Sequence, residues 1–338
     1  MLFIQPGAEV KFLGKPNGLT VDIVAANPEF EDSAKQLLAR HGEHSAALSD
    51  EERQEPAPLP WQTEEDEKFL KRLEDAVRVL RSKPGKMIVS RTYRKVVQPH
   101  ANPFRLFEIY SRSEPSAAAC HFLALNETTY SLGCSPENVF ELDHGKLIFD
   151  VIAATRGRST DPEKDQRWFH ELQHDAKERT EHLMAFNRYR KRLDNLCQPG
   201  TAKVDKSMGV RTLKRVRHLH SRLSGTLRSD LDLIDLLEES FPPLSSYPDE
   251  LIPLADPDLE PTRFYGGIVG RAGPGWNEIS CFLNLRSALL QNQTLYTQGG
   301  VGVISESKPR QEMLEVANKL SSLLEAVSTW ESEVPDVN

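Results

Sequence analysis

The sequence lacks the features that would assign it to a membrane, to nucleic acid or to an oxidising compartment. No apolar run approaches the roughly 20 residues of a membrane-spanning helix, and the first residues carry neither the basic region nor the apolar stretch of a signal peptide. A formal net charge of −8 offers no basic excess for nucleic acid. The cysteines lack CxxC spacing, which argues against a disulfide framework or a zinc site: Cys120, Cys134, Cys197 and Cys281. We therefore expect a soluble cytoplasmic protein with buried, reduced thiols and no nucleic-acid or membrane partner.

Length and composition describe an ordinary globular protein. The 338 residues, 38% hydrophobic and 27% charged, are enough to bury a large core. Short apolar runs followed by a polar, proline-bearing stretch predict that residues 1–62 form a short N-terminal segment that packs on the main domain, with a polar linker. The main domain is expected at 63–330. The acidic residues 331–338 predict a disordered tail.

Hydrophobic periodicity gives a coarse map of the main domain. Helical spacing predicts helices near 63–81, 161–197, 228–240 and 309–327. Short apolar runs predict strands at 86–91, at five places from Arg105–Ser111 to residue 151, and in several runs after residue 264. The close spacing of the five runs favours antiparallel hairpins over βαβ units. The expected fold class is α+β with a mostly antiparallel sheet.

Two pairs of glutamates with the same spacing lie on separate predicted helices. Glu178 and Glu181 are three residues apart, as are Glu312 and Glu315, so each pair shares one helical face. Lys319 follows four residues after the second pair. Two such pairs could converge on one hard cation such as Mg²⁺. Spacing alone, however, favours two solvated helix faces, because such pairs are common on helices.

Six stretches occur in a fixed order between about residues 65 and 327: LGCSPENVFEL, HDAKERTEHLM, VRHLHSRLSGTLRSDLD, RFYGGIVG, FLNLRSALL and GGVGVISESKPRQEMLEVANKL. Taken together, they resemble the chorismate-utilising enzymes, which include the anthranilate, aminodeoxychorismate, isochorismate and salicylate synthases. The resemblance implies an α/β sandwich of two large, mostly antiparallel sheets flanked by helices, with the active site between them. Residues 63–330 would then be the chorismate-binding catalytic domain.

The resemblance also implies which residues bind the substrate. The four glutamates resemble the carboxylates around a Mg²⁺ ion that grips the ring carboxylate of chorismate. Arg286 and Tyr265 resemble the residues that bind the enolpyruvyl carboxylate, for which arginine offers a bidentate fork. The backbone at Gly300 and Gly302, together with Lys319, would help to hold the same anionic groups.

Four further residues resemble those that carry out the chemistry or line the ring. Glu137 resembles the general acid that protonates the departing hydroxyl at ring carbon 4, which requires a carboxyl kept neutral by burial or by like-charged neighbours such as the metal-site carboxylates. His218 matches a histidine at the substrate carboxylate, and Thr155 matches a threonine that lines the ring. Lys86 aligns with the lysine that isochorismate and salicylate synthases use to activate water. Enzymes that add ammonia carry a different residue there.

The chain departs from the family pattern in three places. Ala154 replaces the glycine of Gly-Thr-Arg and adds a methyl group beside the ring pocket. Residues 242–249 replace the Ser-Gly-Ala-Pro-Lys loop of the anthranilate and aminodeoxychorismate synthases. The run Asn187-Arg-Tyr-Arg-Lys-Arg192 replaces their Asp-Leu-Gly-Arg-Asn-Asp. These losses weaken an aminating interpretation, although residues 197–200 and 216–230 resemble the aminating branch more closely.

Three functions therefore remain open. The first is a Mg²⁺-dependent isochorismate synthase-like enzyme, in which water adds at carbon 2 of chorismate as the carbon 4 hydroxyl leaves, with possible continuation to salicylate and pyruvate. The alternative is component I of an ammonia-using anthranilate, aminodeoxychorismate or aminodeoxyisochorismate synthase, which would need ammonia or a glutaminase subunit. The third is a non-catalytic chorismate-binding homologue, which the altered loop suggests.

Overall fold

A computed structural model describes residues 8–15, 18–25, 60–98, 102–212, 216–240, 244–252 and 264–333. Side chains are described from residue 60 onwards, except those of Lys177, Glu181 and Pro274. The chain divides into two units, residues 1–56 and 57–338. In the first unit, β1 (Ala8–Lys15) and β2 (Gly18–Ala25) pair as an antiparallel hairpin. The predicted linker before residue 60 lies outside the described residues.

The described part of the second unit contains twelve strands. In chain order they are β3 (Gln62–Thr63), β4 (Met87–Val96), β5 (Ala119–Asn126), β6 (Thr129–Ser135), β7 (Asn138–Asp143), β8 (Lys146–Gly157), β9 (Lys203–Thr212), β10 (Val216–Thr226), β11 (Ile268–Ala272), β12 (Glu278–Leu283), β13 (Ser287–Gln291) and β14 (Thr294–Val303). They form two six-stranded sheets. Sheet I has the order β11-β12-β7-β8-β10-β9 and sheet II the order β3-β4-β14-β13-β6-β5. Neighbouring strands pair antiparallel, so the α+β sandwich expected from the sequence is confirmed.

Helices cover one face of each sheet. In chain order they are α1 (Asp66–Ser82), α2 (Pro103–Ser113), α3 (Pro162–His174), α4 (Ala176–Leu196), α5 (Leu233–Ser240) and α6 (Pro309–Glu333). Tyr189 and Leu193 of α4 share a buried apolar cluster with Phe149 of β8. Helices α1, α2 and α6 supply the apolar side chains packed against sheet II. Each fully buried Leu or Phe contributes about 1.5–3 kcal/mol, so this packing fixes both sheets relative to their helices.

The prediction of a strand at Arg105–Ser111 is wrong, because this segment belongs to α2. Its buried residues, Leu106 and Tyr110, are four apart, which is helical spacing. The Asn102 side chain accepts a hydrogen bond from the Phe104 amide, and Pro103 occupies the first turn. These capping signals favour a helix. They outweigh the preference of the segment's aromatic and β-branched residues for a strand.

Two other boundaries differ from the sequence-based expectation. No element is predicted over residues 203–226, yet β9 and β10 form an edge of sheet I there. Both faces of strand β10 are buried, and one of them carries histidine and serine side chains. The sequence therefore lacks the regular alternation of apolar and polar residues that predicts a strand. Helix α6 runs to Glu333, past the expected end at Val327, and its buried Trp330 donates a hydrogen bond to the Asn102 carbonyl. No helix in the described ranges is long and apolar enough to span a membrane.

Candidate active site

A cavity of ≈ 970 Å³ is bounded by side chains from both sheets and from α4 and α6. Most of the residues singled out in the sequence line it together: Lys86, Glu137, Thr155, Glu178, His218, Tyr265, Arg286, Gly300, Gly302, Glu312, Glu315 and Lys319. The side chain of Glu181 lies outside the described residues, so its assignment stays a prediction. The volume falls in the upper part of the range for small-molecule sites, about 300–1,000 Å³.

Two crossings between the sheets form one wall of this cavity. The chain leaves sheet II for sheet I at residues 135–138 and returns at residues 283–287. The amide of Leu283 donates to the Glu137 carbonyl at 3.0 Å, and the Ser135 hydroxyl donates to the Leu283 carbonyl at 2.6 Å. Glu137 lies on the first crossing and Arg286 on the second, so these hydrogen bonds hold the two residues in neighbouring backbone.

Glu137 carries a strongly perturbed carboxyl group on the cavity wall. Burial raises its pKa to about 8, while the positive charges of Lys86 and Lys319 act in the opposite direction. Asp150 is the carboxylate that adds to the upward shift, after burial. Burial, and not the metal-site glutamates suggested by the sequence, is therefore the main physical cause. At neutral pH Glu137 is mostly protonated and can donate a proton.

His218 lies in the cavity as a neutral imidazole. Its Nδ1 is 2.9 Å from the Thr155 hydroxyl, and its Nε2 has no hydrogen-bond partner among the described residues. Burial lowers the pKa to about 3, and the nearby positive charges of Arg286 and Lys319 lower it further. The ring can therefore hydrogen-bond to a ligand but does not add a positive charge to the site.

Ala154 occupies a β-bulge beside this histidine. His218 pairs with Thr155, but the next residue, Leu219, pairs with Ala153, so Ala154 is left over. Its φ of 64° lies in the left-handed region that favours glycine. The replacement of the family's glycine thus puts a methyl group on a strained backbone at the cavity wall.

Two glycines of β14 make room for larger side chains. A Cβ at Gly302 would clash with the Lys86 stem, and one at Gly300 would lie 2.7 Å from the Tyr265 hydroxyl. The Gly300 carbonyl accepts a hydrogen bond from Lys319 Nζ at 3.1 Å. The glycines therefore let Lys86 and Tyr265 cross the strand closely, a role that supplements the anion binding expected from the sequence.

The altered loop anchors the backbone at Lys86. The Lys86 amide donates to the Tyr247 carbonyl at 2.7 Å, and the Tyr247 amide donates back to the Lys86 carbonyl at 2.8 Å. The buried Ser246 hydroxyl accepts a hydrogen bond from the Ile88 amide at 3.0 Å. The residues that replace the family's loop thus fix the start of β4, from which the Lys86 side chain enters the cavity.

The glutamates proposed as metal ligands lie on two helices at the cavity wall. Glu178 and Glu312 occupy first helical turns and are only 8% and 7% exposed. Glu178 lies 3.6 Å from Arg156, and Glu315 pairs with Lys319 at 2.8 Å. Among the described side chains, no three histidine, cysteine, aspartate or glutamate residues lie close enough together to hold a metal. The oxygen donors nevertheless suit Mg²⁺, which takes one or two protein carboxylates and keeps several waters.

A basic wall of α4 was not singled out as functional from the sequence. Arg188, Lys191 and Arg192 line the cavity in the run that departs from the family pattern. Arg192 is buried over the Tyr189 ring, and burial together with Arg188 lowers its pKa. The signal was present in the sequence, because Arg188, Lys191 and Arg192 stand where the family has leucine, asparagine and aspartate, but its place in the cavity depends on the fold.

The chain belongs to the chorismate binding enzyme family, whose model matches residues 5–325. It is 30% identical over 239 residues to anthranilate synthase component 1 of Bacillus caldotenax, covering 70% of this chain and 46% of that protein. It thus spans about half the length of the curated relatives it matches.

Solved structures show the same fold. Anthranilate synthase component I from Streptococcus pneumoniae TIGR4 superposes with a TM-score of 0.71 at 22% identity, covering 89% of this chain and 69% of that one. The menaquinone-specific isochorismate synthase of Escherichia coli gives a TM-score of 0.70 at 19% identity, with 91% and 71% coverage. The fold is thus shared with an anthranilate synthase component and with an isochorismate synthase.

Ala154→Gly tests the strained bulge. Glycine removes the cost of a left-handed backbone, about 1–2 kcal/mol, but its greater freedom in the unfolded chain lowers stability by about 0.5–1 kcal/mol. The matched control Ala153→Gly, at a residue without positive φ, has only the entropy loss. In denaturant unfolding, we expect the free energy of unfolding of Ala154→Gly to be about 1–2 kcal/mol higher than that of Ala153→Gly. Equal destabilisation of both variants would contradict the strain.

Proposed function

We propose that the protein converts chorismate by adding a nucleophile at ring carbon 2 while the carbon 4 hydroxyl leaves. The observation that carries this proposal is the buried Glu137, whose raised pKa of about 8 suits proton donation near neutral pH. Hydroxide is a poor leaving group, so its departure requires such a proton. Membership of the chorismate binding enzyme family supplies the substrate class.

The positive charges of the cavity suit a substrate with two carboxylates. Arg286, which is mostly buried, binds the enolpyruvyl carboxylate through its planar fork, and the Tyr265 hydroxyl binds beside it. Lys319 adds a third donor from α6. The unpaired Nε2 of His218 hydrogen-bonds to the substrate, and Thr155 fixes the orientation of the imidazole ring. When a dianion enters this cavity, these fixed donors replace the water molecules that hydrate its carboxylates.

Glu178, Glu312 and Glu315, with Glu181, would hold a Mg²⁺ ion at the ring carboxylate. When bound, such an ion neutralises that carboxylate and favours departure of the hydroxyl. The glutamates place this ion-binding position at the wall formed by α4 and α6. Arg156 and Lys319, which contact Glu178 and Glu315, orient two of these carboxylates.

The comparisons favour ammonia as the nucleophile over the water expected from the sequence. The curated relatives are anthranilate synthase component 1 proteins at about 30% identity. The isochorismate synthase of Escherichia coli matches at 19% identity and so supports the fold alone. An ammonia-using reaction would draw on free ammonia or on a separate glutaminase subunit.

Water is the second candidate nucleophile, and Lys86 favours it. Its side chain enters the cavity across Gly302, and its backbone is fixed by Tyr247. A lysine that loses its proton in a cationic surrounding can serve as a base for water. The loop that suggested a non-catalytic homologue instead supports this lysine through two reciprocal hydrogen bonds.

Product analysis decides between the two nucleophiles. Purified protein is incubated with chorismate and Mg²⁺, with and without ammonium, and the products are identified by chromatography and mass. Ammonia chemistry predicts an aminated product that appears only with ammonium, whereas water chemistry predicts isochorismate or salicylate in both samples. Lys86→Ala abolishes the hydrated product if Lys86 is the base, while the exposed control Lys83→Ala leaves it unchanged. Absence of any product in both samples, with folded protein, would contradict the proposal.

The raised pKa of Glu137 predicts how the rate falls at alkaline pH. Because its carboxyl must be protonated to act as an acid, its ionisation should make kcat/KM fall tenfold per pH unit above pH about 8, with no contribution from this group well below that pH. Glu137→Gln keeps the shape of the side chain but cannot supply the proton, so kcat should fall about 10²–10⁴-fold with substrate affinity retained. The exposed control Glu127→Gln should match the parent. Retained turnover in Glu137→Gln would exclude this residue as the acid.

A further inference from the structure

Two free cysteines face each other across a strand pair of sheet II. Cys120 of β5 lies directly opposite Cys134 of β6, and their sulfur atoms are 3.0 Å apart. Directly opposed residues of antiparallel strands have Cα atoms about 4.5–5.5 Å apart, which is within the range that a disulfide spans. The other two cysteines, Cys197 and Cys281, are buried in the separate core cluster of sheet I.

The two thiols differ in access and in acidity. Cys120 is exposed, whereas Cys134 is only 1% exposed. The hydrogen bond with Cys134 lowers the pKa of the Cys120 thiol. The same contact, together with burial, raises the pKa of Cys134 well above its usual range. The accessible sulfur is thus the one that more readily becomes a nucleophilic thiolate.

This pair lies directly behind the carboxylate-binding arginine. The Cys134 amide donates a hydrogen bond to the Arg286 carbonyl at 3.1 Å, and the Tyr110 hydroxyl donates to the same oxygen at 3.0 Å. The Arg286 guanidinium lies 3.7 Å from the buried carboxylate of Glu114, whose charge also acts on both thiols. Strand β6 then continues into Ser135 and the crossing that carries Glu137.

We propose that Cys120 and Cys134 form a reversible disulfide on reaction with hydrogen peroxide, and that its closure weakens substrate binding at Arg286. The Cys120 thiol releases its proton to solvent, and the thiolate attacks a peroxide oxygen to give a sulfenic acid. The O–O bond breaks, and the hydroxide that leaves takes up the released proton to form the first water. The Cys134 sulfur then displaces hydroxide from the sulfenic sulfur, and its proton completes the second water. Two thiols lose two electrons and one peroxide gains them.

The effect on Arg286 follows from the distance that the sulfur atoms must move. Bond formation brings sulfurs that are 3.0 Å apart to about 2.05 Å. Because the Cys134 amide holds the Arg286 carbonyl, the backbone shift of Cys134 on closure reaches the base of the arginine. Displacements of about 1 Å at a binding group can cost up to about 100-fold in rate. The part of the inference that concerns substrate rests on the proposed function, whereas disulfide formation does not.

Peptide mass mapping tests disulfide formation. The reduced full-length protein is treated with hydrogen peroxide, free thiols are alkylated, and the peptides are identified by mass. We expect a peptide pair linked through Cys120 and Cys134 that dithiothreitol separates, with Cys197 and Cys281 alkylated. Cys120→Ser, at an exposed position that tolerates exchange, should yield no linked pair, while the control Cys197→Ala should retain it. Oxidation of Cys120 to sulfinic acid without linkage would overturn the proposal.

Titration of the same samples tests the coupling to the site. Chorismate affinity should fall about tenfold on oxidation of the parent and of Cys197→Ala, should recover with dithiothreitol, and should not change on oxidation of Cys120→Ser. A linked protein with unchanged affinity would overturn the coupling. If reduced protein bound no chorismate, the proposed function would fail, while the mass result would still decide whether the pair forms.

Discussion

The hydrogen-bonded pair of sheet crossings is the constraint on which the candidate site depends. Leu283 and Glu137 join the two crossings through the backbone, and Ser135 closes the same junction with its hydroxyl. Each crossing carries one residue of opposite chemical role, the buried acid Glu137 and the cation Arg286. Because buried backbone groups must find partners, neither crossing can shift without breaking the other. The sandwich thereby fixes a buried carboxyl group and a guanidinium group in one wall.

The electrostatics of the cavity follow from burial in a cationic surrounding. The charges of Lys86 and Lys319 favour an ionised Glu137, yet the carboxyl stays largely neutral, because desolvation outweighs them. For His218 burial and nearby cations act in the same direction and keep the imidazole uncharged. The result is a site with fixed positive charge for carboxylates, one available proton and one neutral hydrogen-bonding ring. Such a combination suits a dianionic substrate that loses hydroxide.

The sequence patterns predicted the fold class and many of the residues that line the cavity. Helical spacing identified α1, α4 and α6, since their buried stripes are apolar, whereas the buried histidine and serine side chains of β10 concealed a strand. The aromatic run before Ser111 suggested a strand, and only the Asn102 cap and Pro103 explain the helix. The glutamates on α4 and α6 could be paired only through the family resemblance, because local spacing holds no information about distant helices.

Other features depend on tertiary contacts that no local pattern contains. The strain at Ala154 arises from the bulge between β8 and β10. The contact between Cys120 and Cys134 requires the register of β5 on β6, although scattered thiols alone gave no reason to pair them. Likewise, the loop around Tyr247 departs from the family pattern, and only its hydrogen bonds to Lys86 and Ile88 reveal that it supports the site.

Calorimetric titration of chorismate into the protein tests whether the two crossings build a chorismate-binding site. With Mg²⁺ present, we expect one binding site per chain and a loss of affinity of at least about tenfold in Arg286→Gln, since a charged hydrogen bond contributes about 1.5–3 kcal/mol. The exposed Arg112→Gln should bind as the parent does. Undetectable heat with the folded parent protein, or equal affinity in Arg286→Gln, would contradict the account.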